Sequence, residues 1–128
     1  MTRGVRRSVH ATPVVLLIVF SVVFFIPRTW AAAGDAAKGE KVYKANCAVC
    51  HGDKGDGKGP GGVSLTPRPT NFTSPAEMEG IDDARLRKSI MEGLPGTAMI
   101  GFAKTMKAGD IEDVIAYIKT LGGFGKTK

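Results

Sequence analysis

Cys47-Ala48-Val49-Cys50-His51 is the stretch on which the reading of this chain turns. Two thiols three positions apart, with an imidazole directly after the second, form the C-x-x-C-H pattern of c-type haem attachment. Each thiol can add across one vinyl group of a porphyrin to make a thioether. The spacing lets both sulfurs reach one porphyrin edge while the imidazole swings beneath the iron, so five residues specify tether and proximal ligand together. Three other chemistries use cysteines in this way. Zinc takes four ligands, but the chain has no third cysteine and its other histidine is His10 near the N-terminus, so an acidic side chain would have to complete the set. A thioredoxin-type dithiol accompanies a βαβ pattern, whereas here the pair ends one helical stretch and opens a glycine-rich one. A disulfide between Cys47 and Cys50 would close so short a loop that it restrains little chain.

Upstream of the motif the chain reads as an export segment. Arg3, Arg6 and Arg7 lead into an uncharged run from Ala11 to Ile26, followed by Pro27, Arg28 and the small residues Ala31-Ala32-Ala33-Gly34. That order of positive, apolar and small segments is a secretory signal, and Ala31 with Ala33 satisfies the A-x-A cleavage pattern. We expect residues 1–33 to be a signal peptide and 34–128 to be the domain. The alternative is an uncleaved anchor, but sixteen residues span roughly 24 Å as a helix, short of the ~30 Å hydrocarbon core. The whole chain carries a formal net charge of +6. Four arginines and no acid precede Ala33, leaving 14 basic against 12 acidic residues in the domain. A nucleic-acid footprint needs a strongly basic face, and here lysines alternate with acids throughout, so no nucleic-acid partner is expected.

Downstream and upstream of the motif, the domain reads as short helices separated by irregular loops. Asp35 can cap a helix over 36–45. Between Gly52 and Pro69 the density of glycine permits no regular element. A turn of helix is expected after Ser74-Pro75, with proline at the first helical position. Asp82 caps a helix through Met91, with Leu86 and Ile90 on one face and Gly93 and Pro95 as its stop. The last helix is expected over 111–121, capped by Asp110, with Ile111, Val114, Ile115, Ile118 and Leu121 on one face. The fold class is therefore all-α. Ninety-five residues so rich in glycine build a small core unaided, and small secreted domains usually add a staple. A flat apolar macrocycle between the helices supplies one.

An electron-transfer haem of this type takes a methionine as its second axial ligand. Outside the initiator the candidates are Met78, Met91, Met99 and Met106. Met78 lies in a charged stretch between Glu77 and Glu79. Met91 occupies a helical position more often used for packing, and Met106 sits where an apolar residue tends to plug the core. Met99 follows Gly93-Leu94-Pro95-Gly96-Thr97-Ala98, a stiffened loop whose small residues let the backbone lie close to a haem face. Met99 is the expected ligand and Met106 its alternative.

From Asp35 to Leu121 the sequence resembles the class I cytochrome c family. Gly39 and Tyr43 are similar to the positions where its N-terminal helix crosses the C-terminal one, and Tyr117 and Leu121 to the partner face. Cys47, Cys50 and His51 match its haem motif, and Gly93 to Met99 resembles the methionine loop of bacterial members, with Ile100 where many have a second proline. Pro60 resembles the proline whose carbonyl accepts a hydrogen bond from the proximal imidazole, with Pro67 as rival. The resemblance implies a small cytochrome c-like fold around one covalently bound haem c, its iron held by His51 and Met99. It implies a one-electron carrier rather than an enzyme, working in the periplasm as a monomer between redox protein donors and acceptors. Membrane association follows if the signal is retained. Two other functions use the same motif: a haem relay subunit of a periplasmic dehydrogenase or oxidase, and a five-coordinate haem that binds gases or performs peroxidatic chemistry. Lys54, Lys58, Lys104 and Lys107 flank the loops expected around the haem edge, where lysines can steer an acidic partner.

Overall fold

The computed structural model describes residues 33–123, so the export segment expected over 1–33 lies almost wholly outside the described residues. Among the described residues there are five helices and no strand, only an isolated antiparallel bridge between Gly93 and Ile100. We number them α1 (Ala36–Asn46), α2 (Ala48–His51), α3 (Pro75–Met78), α4 (Asp83–Glu92) and α5 (Ala108–Leu121).

The caps act where the sequence offers them. Asp35 accepts from the backbone N–H groups of Ala37 and Lys38 at 2.9 and 3.2 Å, and Asp82 from that of Arg85 at 2.8 Å. Each satisfies N-terminal donors that a helix leaves unpaired. Ser74 accepts from the N–H of Glu77 at 3.4 Å, with Pro75 in the first turn. The last helix differs from expectation. It begins at Ala108, and Asp110 is its third residue, whose carboxylate reaches back to accept the Lys107 N–H at 3.3 Å. The acid works from inside the helix, as the glutamate of a capping box does. Gly109, a poor helix former, concealed that first turn.

α1 crosses α5, and the crossing is close because Gly39 has no side chain: a β-carbon there would fall on the carbonyl of Asp113. Tyr43 and Val114 are fully buried at this contact, and the Tyr43 and Tyr117 rings lie 5.2 Å apart. Ile111, Ile115 and Ile118 extend the core along α5. Burial of each such side chain is worth roughly 1.5–3 kcal/mol. Leu121 is only half-buried and meets the glycine loop, where a β-carbon at Gly55 would stand 2.7 Å from it. Leu86 and Ile90 bury one side of α4. Its other side is tied to α5 by Arg87, which donates through Nε and Nη2 to the two carboxylate oxygens of Glu112, and by Lys119 to Asp83 at 3.0 Å.

Candidate haem site

α1 delivers the motif. Its chain continues through Cys47, whose N–H bonds the Tyr43 carbonyl at 2.8 Å, directly into the single turn of α2. That turn buries Ala48 and sends Cys47, Cys50 and His51 to line one cavity. Gly52 then reverses the chain with φ +80°, a conformation that side-chain-bearing residues rarely adopt. The buried Tyr43 hydroxyl donates to the Gly52 carbonyl at 2.8 Å, fixing the end of the turn to α1. Burial pushes the Tyr43 phenol well above its ordinary value, so it stays a donor.

The glycine-rich segment is a loop, as expected, but a tightly fitted one. It folds back over α2 and supplies donors to carbonyls that a short helix leaves unpaired: Gly57 N–H to His51 at 2.8 Å, Gly59 to Cys50 at 3.1 Å and Gly61 to Val49 at 2.8 Å. A β-carbon at Gly59 would stand 2.5 Å from the carbonyls of Ala48 and Val49. Glycine here is what allows backbone to lie on backbone.

His51 is held from two directions. Its Nδ1 lies 3.0 Å from the Thr70 carbonyl, and its ring stacks on Phe72 at 4.5 Å between centroids and 16° between planes. A carbonyl only accepts, so Nδ1 carries the proton and Nε2 keeps its lone pair, the arrangement that suits a metal-ligating imidazole. Burial lowers the His51 pKa and so favours the neutral ring, against the opposing pull of the Thr70 bond. Neither Pro60 nor Pro67 makes this bond. Pro60 lines a separate polar depression, and Pro67 lines the cavity while the chain runs on past Pro69 to present Thr70. Glycine-loop length set those prolines in the wrong register. The usable signal lay further on: two closely spaced prolines stiffen the strand-like approach, and the Asn71 side chain then accepts the Thr73 N–H at 2.9 Å in a tight turn. The Phe72 N–H, bonded to the Gly55 carbonyl at 2.7 Å, ties this strap to the glycine loop.

The cavity measures about 470 Å³ and its walls are mainly apolar. Leu86 and Ile90 of α4, with Phe102, line it together with the motif. Of Met78, Met91, Met99 and Met106, Met99 alone lines it. Met78, expected in a charged stretch, is a core residue at the end of α3. Met91, expected to pack, is 39% exposed, because α4 turns Leu86 and Ile90 inward instead. Met106 packs half-buried against the core. The Met99 loop is closed by short bonds: Leu94 N–H to the Met99 carbonyl at 3.0 Å, Met99 N–H to Thr97 Oγ1 at 3.1 Å, and the Thr97 hydroxyl to the Leu94 carbonyl at 2.8 Å. Gly93 opens it with φ +77°, where a β-carbon would stand 2.6 Å from the Met99 carbonyl. Ile100, which follows the loop, lines the cavity while 68% exposed.

These residues fit a haem c. Two unpaired thiols, an imidazole with a free Nε2 and an apolar cleft between short helices are the donors and the shape the group needs, and burial together with Cys50 pushes the Cys47 thiol up to about 11, so it waits as a neutral thiol. Among the described residues no three His, Cys, Asp or Glu side chains gather to hold a simple metal ion, so the zinc alternative finds no ligand set there. Lys54 and Lys58 line the polar depression with Asp53 and Asp56, and Lys104 and Lys107 line neither space. The cations on the cavity wall are instead Arg68 and Arg85, which no motif in the sequence marks out.

Comparison with known proteins agrees with this geometry. The Cytochrome c family model matches residues 36–122. The chain is 37% identical over 91 residues to cytochrome c-554(547) of Halothiobacillus neapolitanus, covering 70% of this chain and 99% of that protein. It is 35% identical over 89 residues to the Cbb3-type cytochrome c oxidase subunit FixP of Bradyrhizobium diazoefficiens, covering 70% of this chain but only 28% of the subunit. Among solved structures, the reducing HAO-like protein complex of Kuenenia stuttgartiensis matches with a TM-score of 0.60 and 27% identity, over 70% of this chain and 43% of that one.

Proposed function

Because the chain belongs to the cytochrome c family and carries one covalently bound haem c at Cys47, Cys50 and His51, we propose that it is an exported one-electron carrier whose iron takes His51 Nε2 and the Met99 sulfur as axial ligands. When bound, the haem supplies an Fe(II)/Fe(III) couple. The chain supplies orientation, burial and ligation. Thr70 and Phe72 hold the His51 ring in one tautomer and one plane. The hydrogen bonds among Leu94, Thr97 and Met99 hold the backbone of the methionine loop in place. Leu86, Ile90 and Phe102 give the cavity an apolar wall. A site filled on both sides has no vacancy for substrate, which is why we read a carrier and not an enzyme. The observation that carries this reading is Met99, the one methionine of four on the wall of the cavity that also holds His51.

The periplasm is the proposed location, on the signal-like order of residues 3–34. Its partners there are redox proteins that give and take one electron, and it works as a monomer. A second reading is favoured by the FixP likeness: the same domain as a haem relay within an oxidase or dehydrogenase complex. Co-purification with a membrane complex from the native cell separates a wired relay from a diffusing carrier.

Met99→Ala tests the axial assignment. It should abolish the sulfur-to-ferric-iron absorbance band, lower the midpoint potential and admit carbon monoxide. Met106→Ala should keep the band and cost about 1–2 kcal/mol, below the ~2–5 kcal/mol of a fully buried methionine because the side chain is half-exposed. The reverse pattern would transfer the ligand to Met106 and leave the carrier reading standing.

A further inference from the structure

The chain enters α1 through a contact that the haem site does not explain. Gly34 lies against α5: a β-carbon there would fall on the carbonyl of Glu112 and stand 2.7 Å from the backbone nitrogen of Asp113. One residue on, the Asp35 N–H donates to Asp113 Oδ1 at 2.7 Å. Ala33 is exposed while Gly34 and Asp113 are half-buried, so the bond between residues 33 and 34 is where the chain passes from solvent onto the domain. Three carboxylates belong to the residues that meet here. That of Asp35 caps Ala37 and Lys38 and lies 3.6 Å from the Lys38 ammonium, and that of Glu112 is taken by Arg87 of α4. Asp113 has no such cation: among the described residues it accepts the Asp35 N–H and enters no ion pair.

We propose that the α-ammonium left on Gly34 by cleavage after Ala33 is a structural cation of the mature domain, seated against the Asp113 carboxylate, so that export processing itself adds an ion pair between the start of α1 and α5. Hydrolysis of the bond between Ala33 and Gly34 consumes one water, leaves a carboxylate on Ala33 and a protonated amine on Gly34, and needs no other reagent. Before cleavage that nitrogen is a neutral amide. Bond lengths keep the Gly34 nitrogen within about 3.7 Å of the Asp35 nitrogen, which itself bonds Asp113 Oδ1. The new charge therefore lies within roughly 6.5 Å of the carboxylate, close enough for each to favour the ionised form of the other. An ammonium at this point needs such an anion, because it faces the positive end of the α1 dipole and Lys38 in the first turn adds a second cation. Asp35 and Asp113 are the acids that face it, the first shared with Lys38 and the second free. The same contact requires glycine at the new terminus, since any β-carbon would lift the amine off α5. The inference rests on the cleavage reading and gives the product amine a part in the fold.

The test uses the exported holoprotein with two N-termini: the native one, expected at Gly34, and one in which the cleavage point is moved upstream so that Ala32 and Ala33 are retained. Each is made with Asp113 and with Asp113→Asn, which keeps the oxygen that accepts the Asp35 N–H and removes only the charge. Acetylation by acetic anhydride over about pH 6–10, read from the mass of the N-terminal peptide, reports how firmly the amine holds its proton. The Gly34 amine should titrate above its ordinary value of about 8 and react roughly three- to fivefold more slowly at pH 7 than in Asp113→Asn, as for a partly exposed ion pair. The amine of the longer chain should not respond to the substitution. An amine held protonated in the fold gives stability that is present below its unfolded value and lost as pH rises through the folded one. The native N-terminus should therefore lower the unfolding constant roughly three- to fivefold against the longer one at about pH 6–7, with the difference gone by about pH 10. That comparison needs no substitution, so it decides the matter if Asp113→Asn does not mature. Glu112→Gln, whose partner is Arg87, should affect both chains alike. Equal reactivity of the Gly34 amine with and without the Asp113 charge, or one pH profile of stability for both N-termini, would overturn the seat and leave the cleavage reading intact. Sequencing that finds a first residue other than Gly34 in the exported protein would overturn both.

Discussion

Gly39→Ala should destabilise the holoprotein by about 2 kcal/mol even though the same exchange favours a helix in isolation. Alanine in a helix interior gains about 0.5–1 kcal/mol over glycine. Against that, the new β-carbon would fall on the Asp113 carbonyl and come within 3.0 Å of the Tyr117 β-carbon. Neither obstacle can rotate aside, because one is backbone and the other is the first atom of its side chain. The two helices must separate where Tyr43 and Val114 are fully buried. Overpacking a core costs about 1–3 kcal/mol, and an obstacle made of backbone belongs at the upper end, which outweighs the helix gain. Gly109 is the internal comparison: it lies in α5, and a β-carbon there would meet nothing within 4 Å, so Gly109→Ala should stabilise by about 0.5–1 kcal/mol. Guanidinium unfolding of the ferric holoproteins, followed by far-ultraviolet circular dichroism, measures both. The midpoints should move in opposite directions with the slope unchanged. If both substitutions raise the midpoint, the helix crossing is not as close as described.

Three further outcomes are expected. Tyr43→Phe removes the hydroxyl bond to Gly52 but leaves that carbonyl its second donor, the Gly55 N–H at 3.0 Å, so the loss should be only about 1 kcal/mol in the same unfolding assay. Glu112 is held below its ordinary 4.5 by the Arg87 hydrogen bonds, so the stabilisation it gives is present above that value and lost as pH falls through the lower folded one. Glu112→Gln should therefore flatten the acid limb of the stability profile below about pH 4.5, by a small amount because both partners are about one-third exposed. N-terminal sequencing of the exported protein should begin at Gly34; a chain that retains Val14 to Ile26 and partitions with membranes would be anchored instead.

Features whose cause is local were legible in the sequence. Asp35 and Asp82 capped the helices they were expected to cap, and the 3.6-residue spacing of Ile111, Val114, Ile115 and Ile118 identified the buried face of α5. The haem motif was legible because two thiols and an imidazole must be adjacent in the chain to reach one porphyrin. The partner of His51 was not, because its position depends on how the glycine loop folds over α2, and that path is set by backbone contacts with no side-chain signature. Pro60 and Pro67 were reasonable stiff points, but Thr70 carries the carbonyl. The cavity arginines were hidden for a similar reason. Arg85 and Arg87 look alike in sequence, and only the pairing of α4 with α5 shows that one has a carboxylate and the other has a cavity.

The central claim is a haem iron closed on both sides by this chain's own residues. The most direct measurement is the visible spectrum of the wild-type holoprotein, ferric and ferrous, with and without carbon monoxide. A sulfur-to-iron band in the ferric state and a ferrous spectrum unchanged by carbon monoxide are expected from His51 and Met99 ligation. A ferric spectrum without that band, together with ready binding of carbon monoxide, would mean an open sixth position and a gas-binding or peroxidatic haem in place of a carrier.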